Sequence, residues 1–413
     1  MEIVDISGYA LSSPIEPPQE RRFHGGKRRL RKRDVVLVVA ETPDGTRGVA
    51  TAGASSSAMT EFFEDESQGT FADVVNGPVA NALEGVQIES ATDAHDLLRG
   101  GSVPESDVAE AISAVDVALH DIRGKRQGAP VYELLAERYG TTPSTELPLY
   151  ASAGMYMEPA GYVRQAEVIE EMGFFGYKYR PGIGPADDRR TVELLADATS
   201  DMEVMLDAHT WWKTRNGYDR DTVAGLVEHA TEQGVYWIEE PVEPDDHSGY
   251  VELAETGAPL AGGESEATPE TLVALGETGS VRYLQGDVRH HGGFTGCRAA
   301  VEFCAGREGV EFVPHNFGTW IGLAANAQLV AAAPEASLVE YPIFEDDPLL
   351  DAVPDPGMYP FDLAFDLIEG SPDVSDGLLS VSDDPGLGVE VNLDVVEEYP
   401  FRPGPWTEFH YRT

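Results

Sequence analysis

The sequence predicts an α/β fold, a (β/α)-barrel of the TIM type with an N-terminal α+β domain that caps it. Short apolar runs alternate with helical patterns from about residue 147, while the first 140 residues show strand and helix patterns without alternation. Three successive runs end in acids, at Asp207, Glu239 and Glu264. These acids are 32 and 25 residues apart by number, which is about one βα unit of a parallel barrel.

The composition narrows the class of protein. With 413 residues, of which 42% are hydrophobic, the chain can form one large or two medium domains with a sizeable core. Its net charge of −45 argues against nucleic-acid binding, which needs a basic surface. The 73 acids are spread along the whole chain. We therefore expect a halophilic enzyme, since salt screens self-repulsion, and an acidic interaction surface is the alternative.

Cysteine usage and hydropathy indicate the compartment. Cys297 and Cys304 are seven residues apart in a predicted helix, a rise of about 10 Å that is too long for a disulfide. Core thiols of this kind are typical of a reducing compartment. The sequence shows neither a signal-peptide pattern nor an apolar run long enough to span a membrane. We expect a cytoplasmic protein with no membrane partner.

Residues 1–140 are predicted to form the α+β domain. Residues 1–11, 34–40 and 46–51 have strand character, and the turn at 43–45 links the last two as a hairpin. A clear helical pattern covers residues 107–124.

The segment from Arg21 to Arg33 is strongly basic, with eight of the chain's 28 bases in thirteen residues. One interpretation is a solvated charge run that pairs with acids elsewhere. The other is a mobile loop, hinged near Gly25 and Gly26, that covers an anionic substrate. The sequence leaves its role open.

The barrel is predicted over residues 141–345, and residues 346–413 are expected to pack back on the first domain. Active sites of such barrels lie at the carboxyl ends of the strands. The predicted strand ends are Ala153, Arg180, Asp207, Glu239, Glu264, Asp287, His315 and Glu340.

Three acids at the ends of neighbouring parallel strands converge and repel one another unless a cation lies between them. Oxygen-only ligands suit Mg²⁺. The arrangement of Asp207, Glu239 and Glu264 therefore predicts a magnesium site.

Several motifs resemble one enzyme family. Residues 114–125 (AVDVALHDIRGK), followed by Gly128 and Pro130, resemble the end of the capping domain in the mandelate racemase/muconate lactonizing family of the enolase superfamily. A series of further motifs resembles the same family, and the resemblance covers nearly the whole chain. The motifs are YKYR, LDAH, WIEEP, GGE, GDVRHHGG and VPHNFG. The resemblance implies that Asp207, Glu239 and Glu264 hold one Mg²⁺. The first acid of the IEEP motif is the family's ligand, so Glu240 is the weaker candidate.

The resemblance also implies the acid–base groups. His315 and Asp287 would form a dyad in which the acid fixes the imidazole tautomer and raises its basicity. Lys178 and Arg180 alternate along one strand and point to the same face. The family usually has a second lysine at position 180, and a guanidinium is a poor base. We therefore expect one principal base, His315, with Lys178 and Arg180 holding substrate charge.

Two further residues receive roles by resemblance. His209 completes a DxH arrangement in which sugar-acid dehydratases use the histidine as acid or base. Glu340 matches a carboxylate that hydrogen-bonds the substrate acid. No role is assigned from residue type to Trp211, Trp212, His290 and His291.

Together these features predict a lyase, a Mg²⁺-dependent sugar-acid dehydratase. It would remove the proton α to a carboxylate and expel the β-hydroxyl, giving a 2-keto-3-deoxy acid. A racemase, epimerase or cycloisomerase of the same family is the second hypothesis, and a non-catalytic metal-binding barrel is the third. A homo-oligomer acting on a small acid sugar is expected, and the sequence does not name the sugar.

Overall fold

The computed structural model describes residues 1–52, 67–334, 336–349, 353 and 358–412. The N-terminal part is a meander of three strands, β1 (Asp5–Phe23), β2 (Gly26–Glu41) and β3 (Arg47–Ala52), each antiparallel to the next. Apolar side chains of β2 from residues 35 to 40 are buried, which anchors the meander in the core.

Helices cover the meander. They are α1 (Ser67–Val74), a π-helical turn (Val75–Val79), α2 (Ala80–Leu83), α3 (Ala91–Gly100), α4 (Val108–Gln127) and α5 (Val131–Tyr139). The long helix α4 packs closely on β3. A Cβ atom at Gly48 would lie 2.0 Å from the carbonyl oxygen of Ala118, so only glycine permits this approach. This part of the chain is α+β without alternation, as predicted.

Eight parallel strands follow and form the barrel. They are β4 (Glu146–Met155), β5 (Gly176–Arg180), β6 (Glu203–Asp207), β7 (Trp237–Glu239), β8 (Leu260–Gly262), β9 (Tyr283–Leu284), β10 (Glu311–Phe312) and β11 (Val339–Pro342). Each pairs with the next from β4 to β10, and β11 pairs with β4. The helices that alternate with them are α6 (Pro159–Glu171), α7 (Pro185–Ala198), α8 (Thr210–Lys213), α9 (Arg220–Glu232), α10 (His247–Ala254), α11 (Pro269–Glu277), α12 (Gly293–Ala305) and α13 (Trp320–Ala332). The predicted fold class is confirmed.

The barrel interior has two layers of opposite chemistry. The lower layer is an apolar cluster contributed by five strands and by the residues next to β10 and β11: Tyr150, Met205, Trp237, Ala261, Tyr283, Val313 and Leu338. Because side chains two residues apart along a strand share a face, the residue two positions further along points into the barrel above this cluster. Those residues include Asp207 after Met205, Glu239 after Trp237 and His315 after Val313. The strand register therefore gathers polar groups at the carboxyl ends.

The C-terminal residues return to both parts of the fold. They contain α14 (Asp362–Asp366), β12 (Asp373–Ser375), β13 (Leu378–Ser380), α15 (Val395–Glu398) and β14 (Thr407–Tyr411). Strand β13 pairs with β4 of the barrel, and β14 pairs with β2. The boundaries at residues 140 and 345 stay predictions.

The structure corrects the mobile-loop interpretation of the basic segment. Residues 21–33 belong to strands β1 and β2, which form one long hairpin that turns at His24 and Gly25. The first strand, β1 (Asp5–Phe23), is therefore longer than the strand predicted over residues 1–11. The amide of His24 donates to the carbonyl of Gly182 at 2.7 Å, so the hairpin tip rests on the loop that follows β5. Of the eight bases in residues 21–33, Arg22 and Arg31 are exposed, whereas Arg28 and Lys32 are buried, and strand pairing orders the segment.

Several predicted strand ends shift by a few residues. Arg180, Asp207 and Glu239 do end their strands, whereas Glu264, Asp287 and His315 follow theirs by two or three residues. Ala153 and Glu340 lie inside β4 and β11. Cys297 and Cys304 are buried in α12 and form no disulfide, as predicted. Within the described residues, no helix is long and apolar enough to cross a membrane.

Candidate active site

Lys178 is the central cation of the barrel mouth. Its Nζ atom lies 2.9 Å from Oε1 and 3.0 Å from Oε2 of Glu239, and 2.8 Å from Oε1 of Glu340. All three side chains are almost fully buried. The two carboxylates raise the pKa of Lys178 above its usual range, although burial opposes the rise. The lysine is therefore a fixed positive charge in this arrangement.

Arg180 pairs with Asp207 on the neighbouring strand. Its Nε atom donates to Oδ2 of Asp207 at 2.9 Å, and its Nη2 atom contacts the same oxygen. Burial by itself would raise the pKa of Asp207, but Arg180 and His209 together hold that pKa well below its usual range. Arg180 thus supplies charge rather than a base.

His209 lies among three acids. Its Nδ1 atom is 2.6 Å from Oδ1 of Asp207, and its Nε2 atom is 2.7 Å from Glu240 and 3.1 Å from Glu264. The backbone at His209 is helical and opens α8. Proximity to Asp207 results from this turn. The buried Nε2 atom makes no hydrogen bond of acceptable geometry despite its acidic neighbours.

The two acids of the IEEP motif face different ways. Glu239 accepts hydrogen bonds from Lys178 and, at 2.8 Å, from the amide of Gln285. Glu240 has a positive φ of 41°, a left-handed conformation that is strained for a residue with a Cβ. Its carboxylate accepts from the amide and hydroxyl of Ser265 at 3.1 and 2.5 Å. The turn therefore separates the two carboxylates.

His315 and Asp287 form a contact pair, as expected of a dyad. Nδ1 of His315 lies 3.0 Å from Oδ2 of Asp287, and Nε2 lies 3.1 Å from Oε2 of Glu264. The guanidinium of Arg289 donates hydrogen bonds to Oδ2 of Asp287 from Nε at 3.2 Å and from Nη2 at 2.5 Å. Burial by itself would lower the pKa of His315, but Glu264 and Asp287 raise that pKa to about 9.

Glu340 closes the ring of strands. Its Oε2 atom accepts from the hydroxyl of Tyr150 at 3.2 Å and from the amide of Asn316 at 2.8 Å. Because Lys178 contacts the other oxygen, Glu340 is held on both sides.

A small cavity lies above these groups. It is lined by six of the nine predicted site residues: Lys178, Arg180, Asp207, Glu264, His315 and Glu340. Glu239, Asp287 and His209 lie behind the lining. The structure thus brings all nine residues to the carboxyl end of the barrel, while their catalytic and metal-binding roles stay predictions.

Three supporting residues were missed by the sequence reasoning. Gln285 lies two positions before Asp287, a spacing that marks one face of an extended chain, so a signal was available for it. Arg289 lies in the turn that follows Asp287, where that spacing carries no such signal. Tyr150 carried none, because its value depends on β11 pairing with β4.

The donor set fits a divalent cation. One oxygen or nitrogen from each of Asp207, His209 and Glu239 lies within 4.8 Å of the others, and so do atoms of His209, Glu240 and Glu264. At the barrel mouth, six acids contact basic side chains of the described residues: Asp207, Glu239, Glu240, Glu264, Asp287 and Glu340. Both groups include His209, and carboxylates supply the other donors. Carboxylate oxygen donors suit Mg²⁺.

Family models match both parts of the chain. Residues 16–136 match the N-terminal domain of mandelate racemase/muconate lactonizing enzymes, and residues 161–395 match the enolase C-terminal domain-like family. The chain belongs to the mandelate racemase/muconate lactonizing enzyme family. The resemblance seen in the strand-end motifs is therefore confirmed.

Two characterised relatives in this family carry different enzyme names. A D-galactarolactone cycloisomerase from Agrobacterium fabrum is 30% identical over 295 residues, which cover 70% of this chain and 73% of the relative. A D-xylonate dehydratase from Haloferax volcanii is 26% identical over 315 residues, 71% of this chain and 70% of the relative. Relatives in this family are thus enzymes, and their names leave lyase and isomerase open.

A solved structure shows the same fold. The enolase-superfamily member from Polaromonas sp. JS666 superimposes with a TM-score of 0.80 and 25% sequence identity, covering 100% of both chains.

Proposed function

We propose that this enzyme is a Mg²⁺-dependent sugar-acid dehydratase. The observation that carries the proposal is the asymmetry of the cavity. His315 and Asp287 form a base-and-orienter pair on one side, while Lys178 and Arg180 on the other side are tied to carboxylates. One base faces the substrate, as elimination requires, instead of the two that racemisation uses.

Asp207, Glu239 and Glu264 would hold the Mg²⁺, which would stabilise the charge that develops on the substrate carboxylate. Lys178 lies beside Glu239 and Glu340 and would add a fixed positive charge there. Asp287 accepts a hydrogen bond from Nδ1–H of His315, so Nε2 would be the atom that exchanges protons with substrate.

The reaction balances with this one histidine. Nε2 of His315 removes the α-proton, the C–O bond to the β-hydroxyl breaks, and the proton on Nε2 leaves with that hydroxyl as water. The resulting enol tautomerises to a 2-keto-3-deoxy acid. His209, behind Asp207 and in contact with three acids, would support the ligands rather than touch substrate.

The contact between His315 and Glu264 bears on the base. In this arrangement the carboxylate keeps the imidazole protonated, because its pKa is raised to about 9. Withdrawal of Glu264 from His315 would lower that pKa towards the range of a general base.

A screen of acid sugars tests the proposal. The enzyme is incubated with each acid and Mg²⁺ in concentrated KCl, and 2-keto acid formation is measured. Dehydration of at least one acid, abolished by EDTA and restored by Mg²⁺, is the expected outcome. Products that retain all substrate atoms would reject it in favour of an isomerase, for which the similarity to a cycloisomerase is the argument.

A further inference from the structure

Two arginines of the hairpin, Arg28 and Arg33 on β2, lie near the barrel mouth. Arg28 is buried, donates from Nε to the hydroxyl of Thr407 at 3.1 Å, and contacts the sulfur of Met155 through Nη1 at 3.5 Å. Met155 is next to Arg180 in the register of β4 and β5. Arg28 therefore lies near Arg180, which lines the cavity.

Arg33 lies next to a different lining residue of the cavity, Phe317. Its guanidinium carbon is 5.5 Å from the ring centre of Phe317, which lines the cavity two residues after His315. It also stacks at 4.3 Å on Trp406 and at 5.2 Å on Tyr359. Aromatic rings, rather than acids, hold this charge.

Arg33 differs from the other cations near the cavity in its partners. Its Nε atom is buried without a hydrogen-bond partner, and no ion pair joins its side chain to any described residue. Burial lowers the pKa of Arg33, and the nearby charge of Arg28 adds to this effect. A partly buried guanidinium without an acid is costly unless an anion completes it.

We infer that Arg33, with Arg28 beside it, binds a second acidic group of the substrate, so that the enzyme acts on dicarboxylic sugar acids. The inference rests on the proposed function, in which the first carboxylate of the substrate binds at the barrel mouth. A carboxylate accepts two parallel hydrogen bonds from a guanidinium, a geometry that lysine does not reproduce. The cations of the barrel mouth are already paired with the protein's own carboxylates. A second anionic group of the substrate is therefore better matched by Arg33 on the hairpin.

Ligand binding tests this inference apart from turnover. The probes are two pairs of equal configuration, galactarate with galactonate and glucarate with gluconate. Binding to the Mg²⁺-loaded enzyme is measured by calorimetry and by tryptophan fluorescence, since Arg33 stacks on Trp406. We expect the wild type to bind at least one diacid about tenfold or more tightly than its monoacid.

Arg33→Met should remove that preference and leave monoacid affinity nearly unchanged, while Arg33→Lys should keep part of it. Arg31→Met is the matched control, because Arg31 is exposed on the same strand and paired with Glu408. It should behave as wild type. Equal loss of both ligands in Arg33→Met, no preference in the wild type, or no binding of any probe would overturn the inference.

The outcomes separate the subsite from the reaction. Formation of 2-keto acid without a diacid preference rejects the subsite and keeps the dehydratase. A diacid preference that Arg33→Met removes, without 2-keto acid from any substrate, keeps the subsite and rejects the dehydratase.

Discussion

The barrel mouth and the hairpin above it handle charge in opposite ways. At the mouth, each of Lys178, Arg180 and Arg289 contacts a carboxylate from the protein itself. On the hairpin, Arg33 is surrounded by aromatic rings and contacts no acid among the described residues. Charges paired within the protein maintain the site, whereas a charge left without an acid is available to a ligand.

This difference is sharpest in a comparison of two variants. Lys178→Met leaves Glu239 and Glu340 buried without their cation, and removing one partner of a buried pair costs about 3–5 kcal/mol. Arg33→Met removes a charge that has no such partner, so the free energy of unfolding should stay within about 1 kcal/mol. Denaturant unfolding of the metal-free protein measures both, and equal losses would erase the distinction.

His315, the proposed base at the mouth, is expected to give the next largest effect. His315→Asn should lower turnover by about 10²–10⁴-fold, the usual contribution of a general base. It should also stop exchange of the substrate α-proton with deuterium from solvent, followed by NMR, while Mg²⁺ affinity is retained. Exchange that persists in the variant would make Lys178 or His209 the base and leave the dehydratase proposal standing.

The metal prediction separates the neighbouring acids of the IEEP motif. Glu239→Gln should lower activity by about 10²–10³-fold and weaken Mg²⁺ binding, since it removes a charged oxygen donor. Glu240→Gln serves as the comparison, because Glu240 turns towards Ser265. Calorimetric titration with Mg²⁺ checks both. Unchanged affinity in Glu239→Gln, or a larger loss in Glu240→Gln, would exchange their roles.

Beneath the mouth, His291 makes stability depend on pH. Burial lowers the pKa of His291 to about 4 and nearby His290 adds to this effect, while the Asp287 carboxylate and the backbone contacts with Asp287 and Glu266 oppose it. The unfolded chain takes up the proton near pH 6.5. The stabilisation is therefore complete above about pH 6.5 and declines as the pH falls towards 4.

Between pH 7 and 5 this loss amounts to about 2 kcal/mol of unfolding free energy. His291→Gln keeps a donor and an acceptor and should flatten that slope, as followed by urea unfolding at both pH values. His410→Gln, at an exposed position, is the control. An identical slope in wild type and His291→Gln would exclude His291 as its source.

The surface gives the smallest effect per group. With a net charge of −45, the folded chain should gain stability as KCl screens repulsion. We expect Tm to rise by about 5 °C or more between about 0.1 M and about 2 M KCl. A Tm that is flat or falls over this range would contradict adaptation to concentrated salt.

The sequence alone determined the α/β class and the barrel, and it located the candidate site. Short apolar runs ending in Asp207 and Glu239 repeat at the βα period, and parallel strands must bring their carboxyl ends to one edge. Arg180 could also be read directly, since a guanidinium is a poor base whatever its surroundings.

Tertiary structure decided what local pattern could not express. The basic run from Arg21 to Arg33 shows the same alternation whether it is a loop or a strand, and only pairing with β1 and β14 made it a hairpin. Arg33 reaches its aromatic surroundings through Phe317 and Trp406, which are 284 and 373 residues away by number. The physical reason is that charge type is local, whereas the partner that neutralises a charge, or fails to, is contributed by distant parts of the chain.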